Sequence, residues 1–472
     1  MTAPESDTDL SSTVNDANEP NPGGDERKHV VVLGGGFAGL ELCKHLRNPR
    51  CRITLVDRQN HHLFQPLLYQ VATAGLAAPD IAQPLRSIVG RRPELEVVMD
   101  QVEHIDLDRR QVRCRRQTLA YDYLAITLGV RTSYFGHPGW EKFAPGLKSL
   151  GDATEIRRRV LTAFELAETE PDPAARQQLM TVVVVGGGPT GVELAGAFAE
   201  LTRKVLRHDF RRINPTEARI VLVEGTGRLL STYSDSQSDY TRRTLERMGV
   251  TVRTSAMVDD LGEGYVRING EIVRTANVIW AAGMQAPSVI AALDIAKDRA
   301  GRLKVLPDLS LPGHPEVFAA GDLVHLTRGD GRPVPGIAPA AMQMGRHVAG
   351  VISYDLSARV QPGAPEPPRD AFEYFDKGSM ATIGRSAAVA ETMGLRFNGF
   401  PAWLAWLFIH LVFLVGLRNR LQVFINWCWA YITFRSGARI ITGASPGLPT
   451  AATGDPPVQA RRAAGAPEHP EP

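Results

Sequence analysis

The sequence predicts an α/β chain in which one strand–turn–helix unit is built twice and is followed by a helical segment of different composition. Three observations carry this. The stretch VVLGGGFAGLELCKHL (31–46) returns in altered form as VVVVGGGPTGVELAGAF (182–198). Each copy begins with an apolar β-branched run and turns through glycines into an apolar helical pattern, the order that a parallel sheet needs. Residues 392–443 contain no Asp, Glu or Lys, yet they hold five arginines and four of the six tryptophans.

The opening residues 1–27 are polar, acidic and rich in Pro, Gly and Ser. They have neither the basic start nor the apolar core of a secretory signal and are expected to form a disordered tail. The strand 29–33 then feeds Gly34-x-Gly36-x-x-Gly39, and a helical segment follows over 40–46. Gly34 permits the tight turn, Gly36 lets a pyrophosphate approach the backbone, and Gly39 lets the helix pack close, with Phe37 and Ala38 completing the turn. The next strand, RITLVD, ends in Asp57, which is placed to bind a ribose hydroxyl.

The second copy repeats every part: a strand over 181–185, Gly186-x-Gly188-x-x-Gly191, a helix through Glu193 and Ala199, and the strand RIVLVE ending at Glu224. A lone GxGxxG is weak evidence. The full set of strand, helix and acid, found twice, makes two Rossmann-like dinucleotide-binding domains the reading. A carboxylate at Glu224 pairs with a free 2′-hydroxyl and repels a 2′-phosphate, so NADH is favoured over NADPH; the neighbouring Arg228 reads as a solvated surface charge. Further on, YDYLAITLGV (121–130) with Gly129, ANVIWAAGM (276–284) with Gly283, and VFAAGDL (317–323) with Gly321 and Asp322 each read as a buried strand running into a glycine turn.

Composition removes several function classes. The 53 basic and 51 acidic side chains nearly cancel, leaving no overall field for nucleic acid. Cys43, Cys51, Cys114 and Cys428 form no CxxC pair and no zinc-like grouping, so neither a metal site nor a disulfide scaffold is expected.

With these motifs in hand, the chain resembles the flavoproteins with two dinucleotide-binding domains, the disulfide-reductase-like group. The resemblance implies that the first cradle, with Gly34, Gly36, Gly39 and Asp57, binds the ADP half of FAD, that Asp322 binds its ribityl and pyrophosphate part, and that the second cradle binds NADH. Disulfide reductases need a redox-active Cys pair after the first cradle, and sulfide:quinone reductases need cysteines near the flavin; Cys43 and Cys51 fit neither. The stretches DRQNHHLFQPLLYQVATAGL (57–76), PGIAPAAMQMGRHVAG (335–350) and YFDKGSMATIGR (374–385) resemble the type II NADH dehydrogenases. That family implies electron flow from NADH through FAD to a membrane quinone, ubiquinone or menaquinone, without proton pumping. It places Glu193 near the nicotinamide and flavin, against a plain reading as a first-turn acid favoured by the helix dipole; Gln343 and Lys377 are candidates for lining the quinone side, Lys377 against the reading of a solvated Lys-Gly hairpin. One departure stands out: where the family often has an Ala-Gln pair ahead of the second glutamine, this chain has Ala338-Pro339 and keeps only Gln343. Two alternatives therefore stay open, an oxidoreductase with a soluble, ferredoxin-like acceptor and a nucleotide-binding redox sensor.

The run 403–417 is 15 residues of almost unbroken apolar character. As a helix it would extend roughly 22 Å, short of the ~30 Å hydrocarbon core of a bilayer. The second run, 421–434, contains Gln422 and Asn426. Clustered Trp and Arg suit the headgroup region, so the expectation is a monotopic anchor on the cytoplasmic face of the cell membrane, against the alternative of a buried helical hairpin in a soluble domain. The expected division is 28–150 and 286–365 for the FAD domain, 151–285 for the NADH domain, 366–443 for a C-terminal domain with the anchor, and 444–472 for a second disordered tail. A homodimer is compatible with the sequence and not required by it.

Overall fold

The computed structural model describes residues 26–358, 368–392, 394–433 and 438–442. The expectations for the two tails thus fall almost wholly outside the described residues. Within them, the apolar run that opens the first cradle becomes the strand Lys28–Leu33, its last five residues buried. It lies inside a six-stranded sheet in the order Ser310–Leu311, His314–Ala319, Tyr123–Ile126, Lys28–Leu33, Cys51–Asp57, Leu95–Met99. Every pairing is parallel except that of the short Ser310–Leu311 edge. Strands without polar alternation suit such a sheet, because both faces are covered.

A second, wholly parallel sheet has the order Val250–Arg253, Arg219–Val223, Thr181–Val185, Asn277–Trp280. The two sheets are joined where the chain leaves and re-enters the first: Arg131–Thr132 pairs antiparallel with Met284–Gln285. Met284–Gln285 directly follows the left-handed Gly283 (φ +70°), and Arg131–Thr132 follows the left-handed Gly129 (φ +65°) with Val130 between. A turn of that hand costs glycine little and other residues more.

The first cradle helix spans Phe37–His45, starting earlier than the expected 40–46 because Gly36 serves as its N-cap. Ala338–Ala358 crosses it so closely that a Cβ on Gly345 would stand 2.2 Å from the carbonyl oxygen of Ala38. The second cradle helix, Pro189–Glu200, meets a three-stranded antiparallel sheet, Ser379–Gly384, Ala387–Thr392 and Leu395–Gly399, in the same manner. There a Cβ on Gly196 would come 1.7 Å from the Ile383 carbonyl oxygen.

The apolar run 403–417, weighed above as a single helix, is broken near its end. It forms the helix Phe400–Phe413, then a turn through Gly416 (φ +88°), then Leu417–Thr433. Only Ala402 and Trp406 of the first helix and Val423 of the second are buried, so this is no buried hairpin. Phe408 (69%), Leu417 (71%) and Ile432 (77%) stand in the open. Among the described residues no helix is long and apolar enough to cross a membrane. The second helix is held to the body by polar contacts, Trp427 Nε1 donating to Gln70 Oε1 at 2.8 Å and Asn426 Nδ2 to Asp80 Oδ2 at 3.2 Å.

Candidate active site

The two cradles match atom for atom in their logic. Gly34 (φ +103°) and Gly186 (φ +113°) hold left-handed backbone; a Cβ on either would collide, with the Thr127 carbonyl oxygen at 2.5 Å or the Ala281 carbonyl carbon at 2.8 Å. Gly39 and Gly191 bring each helix against its own turn, where a Cβ would stand 2.0 and 1.7 Å from the carbonyl oxygens of Gly34 and Gly186. Gly36 and Gly188, the two helix N-caps, behave differently: a Cβ there meets nothing within 4 Å. The chain leaves space at the one point where a pyrophosphate would lie against a helix N-terminus, so these residues fit a dinucleotide.

The acids at the strand ends are braced alike. Asp57 Oδ2 accepts from the Gly35 N–H at 2.6 Å and Oδ1 from Gln59 at 2.7 Å. Glu224 accepts from Gly187 at 2.5 Å and from Thr226 at 2.7 Å. Arg228 is ion-paired with Asp235 and donates to the Ser231 carbonyl at 2.8 Å, so its guanidinium is already committed beside the cradle. Gly321 (φ +90°) turns the chain against Ala38. Beside it Asp322 is half-buried and has no hydrogen-bond partner among the described residues. Burial pushes its carboxyl up while the cations of Lys148 and Arg302 pull it down. An unspent acceptor at the edge of the first cradle fits a ligand hydroxyl. Phe37 meets His62 and Phe64 edge-on at 5.1 and 5.9 Å.

The three residues expected to serve the reaction all reach one segment, 375–382. Gln343 brackets the backbone of Phe375, Nε2 donating to its carbonyl at 3.0 Å and Oε1 accepting its N–H at 2.9 Å. Lys377 is exposed and holds Nζ 5.5 Å from the Phe413 ring centre, at the end of the first C-terminal helix. Glu193 is half-buried, and burial pushes its carboxyl up to about 8 against a backbone hydrogen bond from Thr382. It is therefore largely protonated at neutral pH. Pro339 stands in the first turn of Ala338–Ala358, where its missing N–H is one the helix does not use.

Sequence reasoning singled out neither Tyr69 nor Tyr233, both buried, whose hydroxyls burial pushes up and an ionised Glu193 would push up further. It also passed over Gln70, which donates to the Tyr69 hydroxyl at 2.9 Å while accepting from Trp427. The quoted loop 57–76 contained two of these residues, but nothing in its pattern marks which side chains turn inward. Cys43, Cys51 and Cys114 are buried, and burial pushes the Cys43 thiol up to about 12 and the Cys114 thiol to about 11. Such thiols carry no thiolate for sulfur chemistry.

Residues 28–345 match the family model for pyridine nucleotide-disulphide oxidoreductases, and residues 377–436 match the NDH2 C-terminal domain. Over 439 residues the chain is 38% identical to the type II NADH:quinone oxidoreductase Ndh of Mycobacterium tuberculosis, covering 90% of this chain and 92% of that protein. The chain belongs to the type II NADH:quinone oxidoreductase family. NdhA of the same organism, also a type II NADH:quinone oxidoreductase, is 40% identical over 430 residues, covering 88% of this chain and 90% of its own. In fold the chain is similar to NDH2 from Plasmodium falciparum solved in complex with NADH, with a TM-score of 0.79 at 20% identity over 88% of this chain and 100% of that one. As in other members of this flavoprotein family, FAD is the cofactor and NADH the substrate.

Proposed function

We propose that this protein oxidises NADH through FAD and passes the electrons to a membrane quinone without pumping protons. The observation that carries the reading is the doubled cradle, each copy with an open N-cap glycine and a braced acid at the end of its second strand. The redox chemistry, accepting hydride from NADH and releasing two electrons to the quinone, is what FAD supplies when bound.

The chain's own residues bind, orient and exclude water. Gly34, Gly36, Gly39 and Asp57 hold the ADP half of FAD, and Asp322 receives a hydroxyl of its sugar-like chain. Gly186, Gly188, Gly191 and Glu224 hold NADH, with the Glu224 carboxylate taking the ribose 2′-hydroxyl. Glu193 holds a proton on its carboxyl at neutral pH, a neutral neighbour for the nicotinamide. Lys377 offers an ammonium to a quinone oxygen, while Gln343 fixes the segment from which Lys377 extends. Residues 28–150 and 286–365 form the FAD domain, 151–285 the NADH domain and 366–443 the C-terminal domain. The exposed apolar side chains of the two C-terminal helices sit in one leaflet of the cytoplasmic face, with Trp429 and Arg418 at headgroup level.

The test is anaerobic. NADH is added to purified protein, the yellow flavin band is followed, and a short-chain ubiquinone or menaquinone is then added. Bleaching, then return of colour at a rate matching steady-state turnover, is the expected result. Bleaching with no return on any quinone would overturn the acceptor.

A further inference from the structure

His410 is the only titratable side chain of the helix Phe400–Phe413. Its helix neighbours Phe408, Ile409 and Val412 are exposed. The imidazole instead turns inward: it stacks on Trp406 with ring centres 4.1 Å apart and meets Phe64 edge-on at 6.3 Å. Phe64 in turn meets Phe37 in the first turn of the FAD-cradle helix. A row of aromatic rings thus joins the flavin cradle to the outermost helices, and His410 is the polar member of that row.

Its hydrogen is assigned by its neighbour. Nδ1 lies 2.7 Å from the Trp406 carbonyl oxygen, and a carbonyl only accepts, so Nδ1 carries the proton. Burial lowers the imidazole to about 4; the ring is neutral at working pH, and Nε2 is left with a lone pair. Among the described residues nothing bonds Nε2. The residue is half-buried and keeps some solvent contact, in contrast to Trp406, whose Nε1 is both buried and unpartnered.

From this geometry we propose that His410 Nε2 is the product-recognising group of the quinone site, accepting a hydrogen bond from a hydroxyl of the reduced, hydroquinone headgroup. The inference rests on the quinone reading above and deepens it. The oxygens of an oxidised quinone only accept, so a lone pair gains nothing from them. A hydroquinone presents O–H donors. His410 therefore favours the reduced headgroup over the oxidised one, while the Lys377 ammonium, placed beside Phe413 one turn further along the same helix, is a donor suited to the oxidised one.

The experiment uses the FAD-loaded protein with a short-chain quinone and its hydroquinone, and it measures the KM for quinone and the product-inhibition constant of the hydroquinone. His410→Phe keeps the stacking ring and removes the lone pair; His410→Gln returns an acceptor oxygen. The expected result is that His410→Phe weakens hydroquinone inhibition about tenfold, the scale of one lost hydrogen bond, with the quinone KM unchanged within about twofold. His410→Gln recovers most of the loss. Equal shifts in both constants, or no shift in either, would overturn the assignment. Flavin content and circular dichroism of each variant separate misfolding from lost recognition. A wild-type protein that fails to turn over with quinone removes the quinone reading itself, a result visible before any variant is compared.

Discussion

Gly36 and Gly188 separate binding from folding. Gly36 has φ −70° and an extended ψ, and Gly188 has φ −72°, so neither backbone needs glycine, and a methyl on either meets only open space. Gly36→Ala should therefore fold with a stability change within about 0.5 kcal/mol yet purify colourless, because the methyl fills the pyrophosphate's place. Gly188→Ala should purify yellow and raise the NADH KM by tenfold or more. Flavin absorbance and steady-state kinetics check both, and two fully active yellow variants would remove the cradles from the site. Glu193 gives a prediction with a defined sign. Its folded carboxyl sits at about 8, above the ordinary 4.5. Between those values the folded chain keeps a proton that the unfolded chain has released. The stabilising effect is complete below about pH 4.5 and is lost as pH rises toward 8. Glu193→Gln cannot ionise, so the variant should gain on the wild type as pH rises, by on the order of 2 kcal/mol after allowance for the residue's partial solvent contact. Melting temperatures at pH 5 and pH 8, at equal flavin loading, read this directly; parallel curves would mean that the carboxyl is ordinary.

At the scale of elements, what was legible in the sequence was local. The cradles, their acids and the strands feeding glycine turns are set by spacings of a few residues, and the strand Thr181–Val185 coincides with the β-branched run TVVVV. The long-range contacts were not legible. Glu193 with Thr382, Gln343 with Phe375 and Lys377 with Phe413 are distant in sequence, and no local pattern pairs them. The break at Gly416 rests on one glycine in an apolar run, and His410 was hidden within the same run as one polar residue among many apolar ones. Gly345 shows how much such a hidden contact weighs. It lets Ala338–Ala358 cross the FAD-cradle helix at Ala38, the residue against which Gly321 also turns. Gly345→Ala should push the helices apart at a cost of about 2–4 kcal/mol and speed FAD loss on dilution. Gly350→Ala on the same helix meets nothing within 4 Å and should be neutral or stabilising by up to about 1 kcal/mol. Calorimetry and flavin fluorescence on the pair would detect the difference; equal behaviour would show that the crossing tolerates a methyl.

For the molecule as a whole, the exposed apolar helices are joined to the catalytic end by specific contacts. Trp427 bonds Gln70, Gln70 bonds Tyr69, and Tyr69 lies within the field of Glu193, while His410 reaches the FAD cradle through Phe64 and Phe37. In the proposed reading, a surface that touches lipid would thus stand a few side chains from the groups assigned to the reaction, and a quinone would be reduced without leaving the bilayer's edge. Seating in lipid and chemistry at the flavin should then be separable by mutation on the outer face. Phe408 (69%) and Phe424 (52%) are exposed there and belong to neither ring row nor hydrogen-bond chain. Replacing both by Asp trades two apolar side chains, each contributing roughly 1.5–3 kcal/mol when buried in an apolar medium, for charges that the acyl region rejects. The double variant should leave anionic-lipid vesicles on flotation, keep NADH turnover with a water-soluble short-chain quinone within about twofold, and lose more than tenfold with a long-chain quinone embedded in vesicles. Wild-type protein should stay bound through a high-salt wash, because apolar burial is not screened as charge pairing is. Release of the wild type by salt alone would make the arginines, and not the apolar face, the attachment. Retention of the double variant on vesicles would place the membrane contact elsewhere on the molecule.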